Sequence, residues 1–297
     1  MKTYLENFFE EFDYPADARV TLGNAYDVIN ESAECAEIFD AILKKYDDER
    51  RIDVKDMIPG LTRVSELTGI HDYTVKLLIH ILLSKTLRAY YAEKGLDDSL
   101  WYGAMADLKW KLIESHLVRG VWGTFVADCN WFSRWYDITR FALCRLQFEI
   151  TKLNRECEID GVKLTKDSKV INIHIPRTGT PLNHDEVLRS YEMAKEMFKD
   201  EFKNEPMVFH CSSWLLFPEH ERILHERSNI RKFMSDFTII ADAFYPETNK
   251  SAIWRAFDVP ETTPTEELPE DSFLKVAYKK YLLGGGKLGC GTGVFLA

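Results

Sequence analysis

The sequence has 297 residues, about twice the size of an ordinary domain, so two domains are expected. Hydrophobic residues make up 45% of the chain and charged residues 29%, a balance typical of folded globular proteins that excludes general disorder. The formal net charge is -10 and no basic stripe is present, which disfavours a nucleic-acid partner because phosphate binding needs a positive surface.

The sequence gives no sign of export or of a membrane span. The N-terminal segment lacks the apolar core of a secretory signal, and no window approaches the run of about 20 apolar residues that crosses a bilayer. We therefore expect a cytoplasmic protein without a membrane partner. The six cysteines are scattered without a Cys-x-x-Cys pair, so we expect buried thiols and no metal site.

The N-terminal part of the chain has the pattern of helices. Apolar residues recur at helical spacing over residues 1–127, which predicts an all-helical domain. Residues 72–93 are apolar on nearly all sides and should form the central helix of that domain. A second helix is expected over residues 99–118, with an aromatic face that fills the core.

Residues 128–297 alternate between strand and helix patterns and form the second predicted domain. An aromatic segment at 128–143 is expected to be a helical turn that leads into a strand. Short connections between the strand candidates 145–151, 158–164 and 170–175 predict an antiparallel meander, with a turn expected at Asp160 and Gly161 inside the middle candidate. The next elements are a helix capped by Asn183, a strand at 207–217, a helix at 229–237, a strand at 237–244, a helix at 272–283 and a strand at 288–296.

The succession of strand, capped helix and strand around Asn183 is typical of a βαβ unit. Such a unit is right-handed and places its two strands parallel in one sheet. The strands at 170–175 and 207–217 should therefore be parallel neighbours.

Two short motifs imitate known binding signatures. Residues 284–289 satisfy the letters G-x-G-x-x-G but follow a helix and leave no room for a phosphate-facing helix, so we expect a helix end followed by a strand. His220 and His225 resemble H-E-x-x-H with one residue too many, which turns the second imidazole about 140° around a helix from the first. We expect both histidines to be solvated at the surface.

A polar cluster is the candidate site. Strand alternation places Asn172 and His174 on one face of their strand, and His210, Ser212 and Trp214 on one face of the parallel strand. If those faces coincide, Asn172, His174, His210 and Ser212 meet. A histidine can accept a proton near neutral pH and so act as a general base, although a structural hydrogen-bonded cluster would use the same residues.

The order of elements is similar to that of GNAT acyltransferases, in which two parallel strands splay and acyl-CoA lies between them. The sequence also resembles a bacterial family of acyltransferase domain-containing proteins, which join an N-acyltransferase N-terminal domain to a GNAT-like C-terminal domain. The matching segments are 145–149, 170–176, 210–218, 228–234 and 285–295. The resemblance implies an α+β protein with an all-helical N-terminal domain and a GNAT-like mixed α/β sheet domain.

This resemblance implies transfer of an acyl group from acetyl-CoA or another acyl-CoA to a small-molecule amine. His174 or His210 would take the proton from the ammonium, and a backbone N–H where the strands splay would stabilise the oxyanion. Contacts with the donor would come from Arg177, Gly179 and Thr180, and the acceptor pocket would be shaped by Asn172, Ser212 and Trp214. The resemblance leaves the acceptor and the oligomeric state open.

Departures in the loop after residue 176 favour a second interpretation, a non-catalytic GNAT-like binding or scaffold module. In the superfamily this loop has Arg or Gln followed by spaced glycines, whose N–H groups hold the pyrophosphate. Here Pro181 removes a donor, and Asp185 and Glu186 put negative charge into the first helical turn.

A third interpretation is a hydrolase that uses Ser212 or Ser213 with a histidine. That chemistry needs a nucleophile on a sharp exposed turn, and the sequence has no G-x-S-x-G.

Overall fold

The computed structural model describes residues 1–126, 131–246 and 248–297. The chain forms two compact units, Met1–Phe141 and Ala142–Ala297. The predicted boundary between residues 127 and 128 lies outside the described residues. Within the described ranges, no helix has both the length and the hydropathy needed to cross a membrane.

The first unit is helical, as predicted. Its helices are α1 (Lys2–Glu11), α2 (Ala16–Glu31), α3 (Ala33–Glu49), α4 (Val54–Thr68), α5 (Asp72–Glu93), α6 (Asp98–Arg119) and the short α7 (Ser133–Tyr136). Every residue of α5 from 74 to 84 is buried, and α5 contacts α1, α2, α3, α4 and α6. The prediction that residues 72–93 form the central helix is confirmed.

Three buried polar residues lie four apart on the otherwise apolar helix α5. Residues at this spacing share one side of a helix. Of these residues, Lys76 pairs with Asp72 of the same helix, His80 hydrogen-bonds through Nδ1 to the hydroxyl of Tyr136, and the Ser84 carbonyl accepts a 3.0 Å hydrogen bond from Trp101. The His80 side chain thus ties α7 to the central helix, and the backbone of Ser84 ties α6 to it.

The second unit is built on a mixed sheet of six strands, in the order β1-β2-β5-β6-β8-β7. The strands are β1 (Arg140–Leu143), β2 (Leu146–Lys152), β3 (Cys157–Ile159), β4 (Val162–Leu164), β5 (Lys169–His174), β6 (Val208–Ser213), β7 (Thr238–Phe244) and β8 (Gly289–Leu296). The helices are α8 (His184–Phe198), α9 (His220–Ile223), α10 (Asn229–Met234), α11 (Ser251–Phe257) and α12 (Phe273–Leu283). The sequence patterns had not indicated α11.

The predicted βαβ unit is present, because β5 and β6 are parallel neighbours connected through α8. The turn predicted at Asp160 and Gly161 is confirmed, but the predicted meander was wrong in placing this middle segment in the sheet. Strands β3 and β4 form a separate hairpin around Asp160 and Gly161, both with positive φ, and β2 pairs directly with β5. The hairpin packs its apolar side chains on Val170, Val208 and Val294 of the sheet, which buries those side chains without extending the ladder.

One face of the sheet is filled by aromatic rings. Phe209 and Phe295 stack with ring centroids 4.8 Å apart, and Tyr191 of α8 lies 5.6 and 4.9 Å from them. Phe148 of β2 completes this layer, 6.0 Å from Phe209. These contacts fix which side chains of β2, β5 and β6 point to the opposite face.

The surface prediction for the two histidines of the His-Glu motif was half wrong. His225 is exposed, but His220 is fully buried among Trp214, Phe217 and Tyr278, and its Nδ1 lies 3.3 Å from the Leu215 carbonyl. Helix α9 ends before His225, so the two imidazoles do not share a helix.

The glycine-rich segment before the last strand has the predicted structure. Gly284 follows the last residue of α12, and β8 begins at Gly289. A Cβ atom at Gly291 would lie 2.0 Å from the Leu216 carbonyl oxygen. The backbone of β8 therefore passes too close to the segment around Leu216 for a side chain at position 291.

The two deeply buried histidines predict that acid destabilises the protein. Burial lowers the pKa of His80 to about 3, with a smaller effect of Lys76, and lowers the pKa of His220 to about 4. The unfolded chain binds protons below its pKa of about 6.5, so stability is full above that pH and is lost as the pH falls towards 4. We expect a loss of about 2 kcal/mol per histidine between pH 7 and pH 5 in urea unfolding.

The matched test compares His220→Asn with His225→Asn. The first variant should be less stable at pH 7 but should lose less stability on acidification than the wild type, because it lacks a buried imidazole. The second should follow the wild type. Equal pH slopes for all three proteins would contradict this account of His220.

Candidate functional site

The sheet opens between β5 and β6. These strands pair only at Ile171–Phe209 and Asn172–His210, although β5 continues to His174 and β6 to Ser213. Over the same stretch β6 remains paired with β8. A gap therefore begins beyond Asn172 and His210, at the carboxyl ends of two parallel strands, where open α/β sheets bind their ligands.

A network of four polar side chains in close contact lies at this gap. His210 Nδ1 is 2.9 Å from Asn172 Oδ1, and Asn172 Nδ2 is 3.1 Å from His174 Nε2. His174 Nε2 is also 2.7 Å from an oxygen of Glu149 on β2. Three of the four residues predicted to meet on one face, Asn172, His174 and His210, do so, with Glu149 as an additional member, whereas the Ser212 hydroxyl pairs with Thr292.

The chemistry of the partners assigns the protons. A carbonyl oxygen only accepts, so His210 Nδ1 carries the proton that it donates to Asn172, and His210 Nε2 keeps a lone pair. One ring nitrogen of His174 cannot serve both neighbours. We assign the Nε2–H of His174 to Glu149, because this contact is the shorter one and its acceptor is a carboxylate. The 3.1 Å approach of the Asn172 amide nitrogen to the same ring nitrogen is then a polar contact and not a second hydrogen bond.

His210 is poised as a neutral base. Burial first, then the positive charge of Arg155 and the neighbouring His174, lower its pKa to about 4. Its Nε2 is shielded from solvent and has no hydrogen-bond partner among the described residues. A neutral imidazole with a free lone pair is the form that accepts a proton at neutral pH.

The two other predicted acceptor residues lie beyond His210. Ser212 is exposed on the same face of β6, with its hydroxyl 3.0 Å from that of Thr292 on β8. The prediction that Trp214 shares this strand face was wrong. The strand ends at Ser213, whose hydroxyl accepts from the Leu215 N–H, and Trp214 begins a 3₁₀ turn.

The three predicted donor residues lie in the loop between β5 and α8. Arg177 forms an ion pair with Asp258, at 2.7 and 2.6 Å from its two terminal nitrogens. Gly179 has a φ of 70°, a conformation that glycine adopts without strain, and the Thr180 hydroxyl lies 2.9 Å from that of Thr178. The loop is therefore held by one hydroxyl contact of its own and by the ion pair with Asp258 outside it.

The start of α8 is already capped. The side chain of Asn183 accepts a 2.9 Å hydrogen bond from the Asp185 N–H, and Asp185 and Glu186 occupy the first turn. This arrangement satisfies one helix-end donor internally and puts negative charge at the end of the helix that attracts anions.

A buried arginine is hydrogen-bonded to both ends of this loop. Arg145, only 8% exposed, donates from Nη1 to the Pro176 carbonyl at 2.9 Å and reaches the Pro181 carbonyl at 3.5 Å. Its own backbone N–H donates to the Ser190 hydroxyl of α8 at 2.9 Å. Burial lowers the pKa of this guanidinium. Arg145 thus joins both ends of the loop and the following helix.

Sequence reasoning missed Glu149 and Arg145. The signal was present in the alternation of Arg145, Gln147 and Glu149 with apolar residues, which is a polar strand face. All three side chains are buried, and burial of polar groups calls for partners. Within the described ranges, no group of three or more His, Cys, Asp or Glu residues is placed to hold a metal ion.

Comparisons with known proteins agree with this architecture. The model of the family described as N-acyltransferase N-terminal domain matches residues 3–138, and that of the GNAT-like C-terminal domain matches residues 141–295. The chain therefore belongs to the family defined by this GNAT-like C-terminal domain. No functionally curated protein matches the sequence.

Solved acyltransferases have the same fold. One, a variant in complex with octanoyl-CoA, aligns with a TM-score of 0.73 and 21% identity over 98% of this chain and 87% of its own. A second, in complex with decanoyl-CoA and teicoplanin, gives the same values. A third, with decanoyl-CoA, aligns with a TM-score of 0.64 and 18% identity over 98% of both chains. Together with the family match, these similarities confirm the predicted α+β fold class.

Arg145→Met should loosen the loop between β5 and α8. The substitution keeps the bulk of the side chain but leaves the Pro176 and Pro181 carbonyls without their donor, at a cost of about 1–3 kcal/mol. We expect faster amide hydrogen exchange over residues 177–183 than in the wild type, with little change in β7. Unchanged exchange in this loop would show that Arg145 does not hold it.

Proposed function

We propose that the protein transfers an acyl group from acyl-CoA to the amine of a small molecule. The observation that carries this proposal is the free Nε2 of His210 beside the gap between β5 and β6. Amide formation from a thioester needs a proton acceptor near the reacting atoms, since the attacking amine must lose a proton. The gap between the parallel strands is where the thioester would lie.

The neighbouring structures support the two kinds of substrate. Acyltransferases of this fold are solved with octanoyl-CoA and decanoyl-CoA, and one of them also with teicoplanin. By analogy, an acyl-CoA donor with its thioester in the gap and a small-molecule acceptor on the polar face are proposed here.

The proposed reaction begins with attack of the amine nitrogen on the thioester carbonyl carbon. A backbone N–H at the edge of the gap stabilises the oxyanion, and His210 Nε2 takes the proton released by the nitrogen. The carbon–sulfur bond then breaks, the amide forms, and the CoA thiolate leaves and is protonated from His210 or solvent.

The other polar residues orient the base and the acceptor. Asn172 accepts from His210 Nδ1 and so keeps the lone pair of the ring on Nε2. Glu149 accepts from His174 and so holds that ring in place beside Asn172. Ser212 lines the acceptor side, and Trp214, packed on Tyr278, supports the chain beyond it.

A non-catalytic binding or scaffold module is the second candidate. The capped and acidic start of α8 favours it, because this helix end has less capacity to hold a pyrophosphate. The two candidates differ in turnover: a scaffold releases no free CoA with any pairing of acyl-CoA and amine. Thiol release in a panel of acyl-CoA donors and amines therefore separates them.

Removing either histidine should abolish most turnover without unfolding the protein. His210→Ala deletes the base and His174→Ala removes the ring that packs beside Asn172, the partner of that base, and loss of a general base typically costs 100-fold or more in rate. We expect kcat to fall by about 100-fold or more for His210→Ala and by less for His174→Ala. His225→Ala, at an exposed position outside the network, is the control in the thiol-release assay. Normal turnover by both site variants would sink this mechanism.

The low pKa of His210 predicts the acid side of the pH profile. A base with a pKa of about 4 stays neutral down to that pH, so kcat/KM expressed per unprotonated amine should be flat from pH 8 to about pH 5.5. Activity should be lost only as the pH falls through the pKa. Because Arg155 lowers this pKa, Arg155→Gln should move the acid limb to higher pH. A wild-type inflection near pH 6.5 would contradict the buried-base assignment.

A further inference from the structure

Two cations share one carboxylate beside the loop between β5 and α8. Asp258 follows the last residue of α11, in the connection between β7 and β8. Its Oδ1 accepts hydrogen bonds from both terminal nitrogens of Arg177. The other oxygen, Oδ2, lies 3.7 Å from the Lys275 ammonium of α12. A carboxylate held between a guanidinium and an ammonium has the charge pattern of a bound phosphate.

This cluster is partly sheltered from solvent. The side chains of Arg177 and Asp258 are 28% and 25% exposed, and that of Lys275 is 13% exposed. Lys275 also pairs with Asp271 at 3.0 Å, but Arg177 has Asp258 as its acidic partner. Charges in such a setting are screened less than those on an open surface, so an anion gains more there.

The rest of the loop supplies little positive charge. The α8 terminus is capped by Asn183 and followed by Asp185 and Glu186, while the buried Arg145 is engaged with loop carbonyls. A phosphate that approached this loop would therefore depend on Arg177 and on the cation next to it, Lys275.

We propose that Asp258 occupies a phosphate site in the free protein, and that a phosphate group of the donor nucleotide replaces it between Arg177 and Lys275. This inference rests on the proposed function, since it assigns a site for the acyl-CoA donor. It adds Lys275 as a phosphate-binding residue from the β7–β8 crossover and makes Asp258 an internal competitor of the donor.

Removal of the Asp258 charge should strengthen the binding of CoA. Removing an acidic partner of a binding arginine ordinarily disturbs the site, but here it frees the site. Asp258→Asn keeps the side-chain shape, and asparagine tolerates the left-handed backbone at this position, where φ is 61°. We expect CoA to bind this variant about three- to tenfold more tightly than it binds the wild type, the range expected for one partly exposed ion pair.

The experiment is calorimetric titration of the full chain with CoA. Lys275→Met, which retains most of the apolar stem, should bind CoA about three- to tenfold more weakly. Glu270→Gln is the matched control for net charge: it removes one negative charge from the same crossover, but Glu270 pairs with Lys279 at 2.7 Å. Its affinity for CoA should stay within about twofold of the wild type.

Shortened ligands identify the phosphate. Pantetheine has no phosphate, so its binding should not respond to Asp258→Asn. Dephospho-CoA retains the pyrophosphate but lacks the 3′-phosphate. If the tighter binding persists with dephospho-CoA, the site holds the pyrophosphate, and if it disappears, the site holds the 3′-phosphate.

The outcomes separate this inference from the proposed function. CoA binding to the wild type with no gain in Asp258→Asn and no loss in Lys275→Met would overturn the phosphate site and leave the acyl-CoA donor standing. The same holds if Glu270→Gln gains as much as Asp258→Asn. Absence of CoA binding to every protein would instead overturn the proposed function. If thermal unfolding shows that Asp258→Asn is not folded, the CoA affinity of Lys275→Met tests the phosphate site by itself.

Discussion

The candidate chemistry of this chain depends on the short pairing of β5 with β6. Each strand is secured on its other side, β5 by six residue pairs with β2 and β6 by six with β8, whereas the two share only two pairs. The gap therefore lies inside the sheet, between two strands that are each fully paired on the other side, and is not a frayed edge. Backbone polar groups inside a fold require partners, so a gap of this kind favours a ligand that supplies them.

The aromatic layer on the opposite face positions the polar network. The register places Glu149 opposite Asn172 and Asn172 opposite His210, so the network crosses three strands in one row. A slip of one residue in β5 would turn Asn172 towards the side where Phe148 and Phe209 pack. Burial of those rings disfavours the slip. Packing on one face of the sheet thus fixes the geometry of hydrogen bonds on the other.

Local patterns in the sequence predicted most of the elements and the parallel pair β5 and β6, but not the side-chain contacts between distant segments. Alternation was enough to group Asn172 with His174, and strand-helix-strand order was enough to make their strand parallel to that of His210. The role of Glu149 could not be found this way, because its partner is on another strand and the pairing register decides the contact. Burial of His220 likewise depends on Tyr278, far along the chain. Trp214 was misplaced because the hydroxyl of the preceding residue ends the strand.

The charge of the chain constrains how an anionic donor could bind. With a net charge of -10, long-range attraction cannot bring a phosphate to the protein, so binding relies on local cations. Arg145, Arg177 and Lys275 all have internal acceptors in the free protein. A phosphate that binds at this loop would therefore replace an internal acceptor. Its binding free energy would be the difference between the ion pairs that it forms and those that it breaks. Such a balance would make donor affinity sensitive to a single carboxylate, that of Asp258.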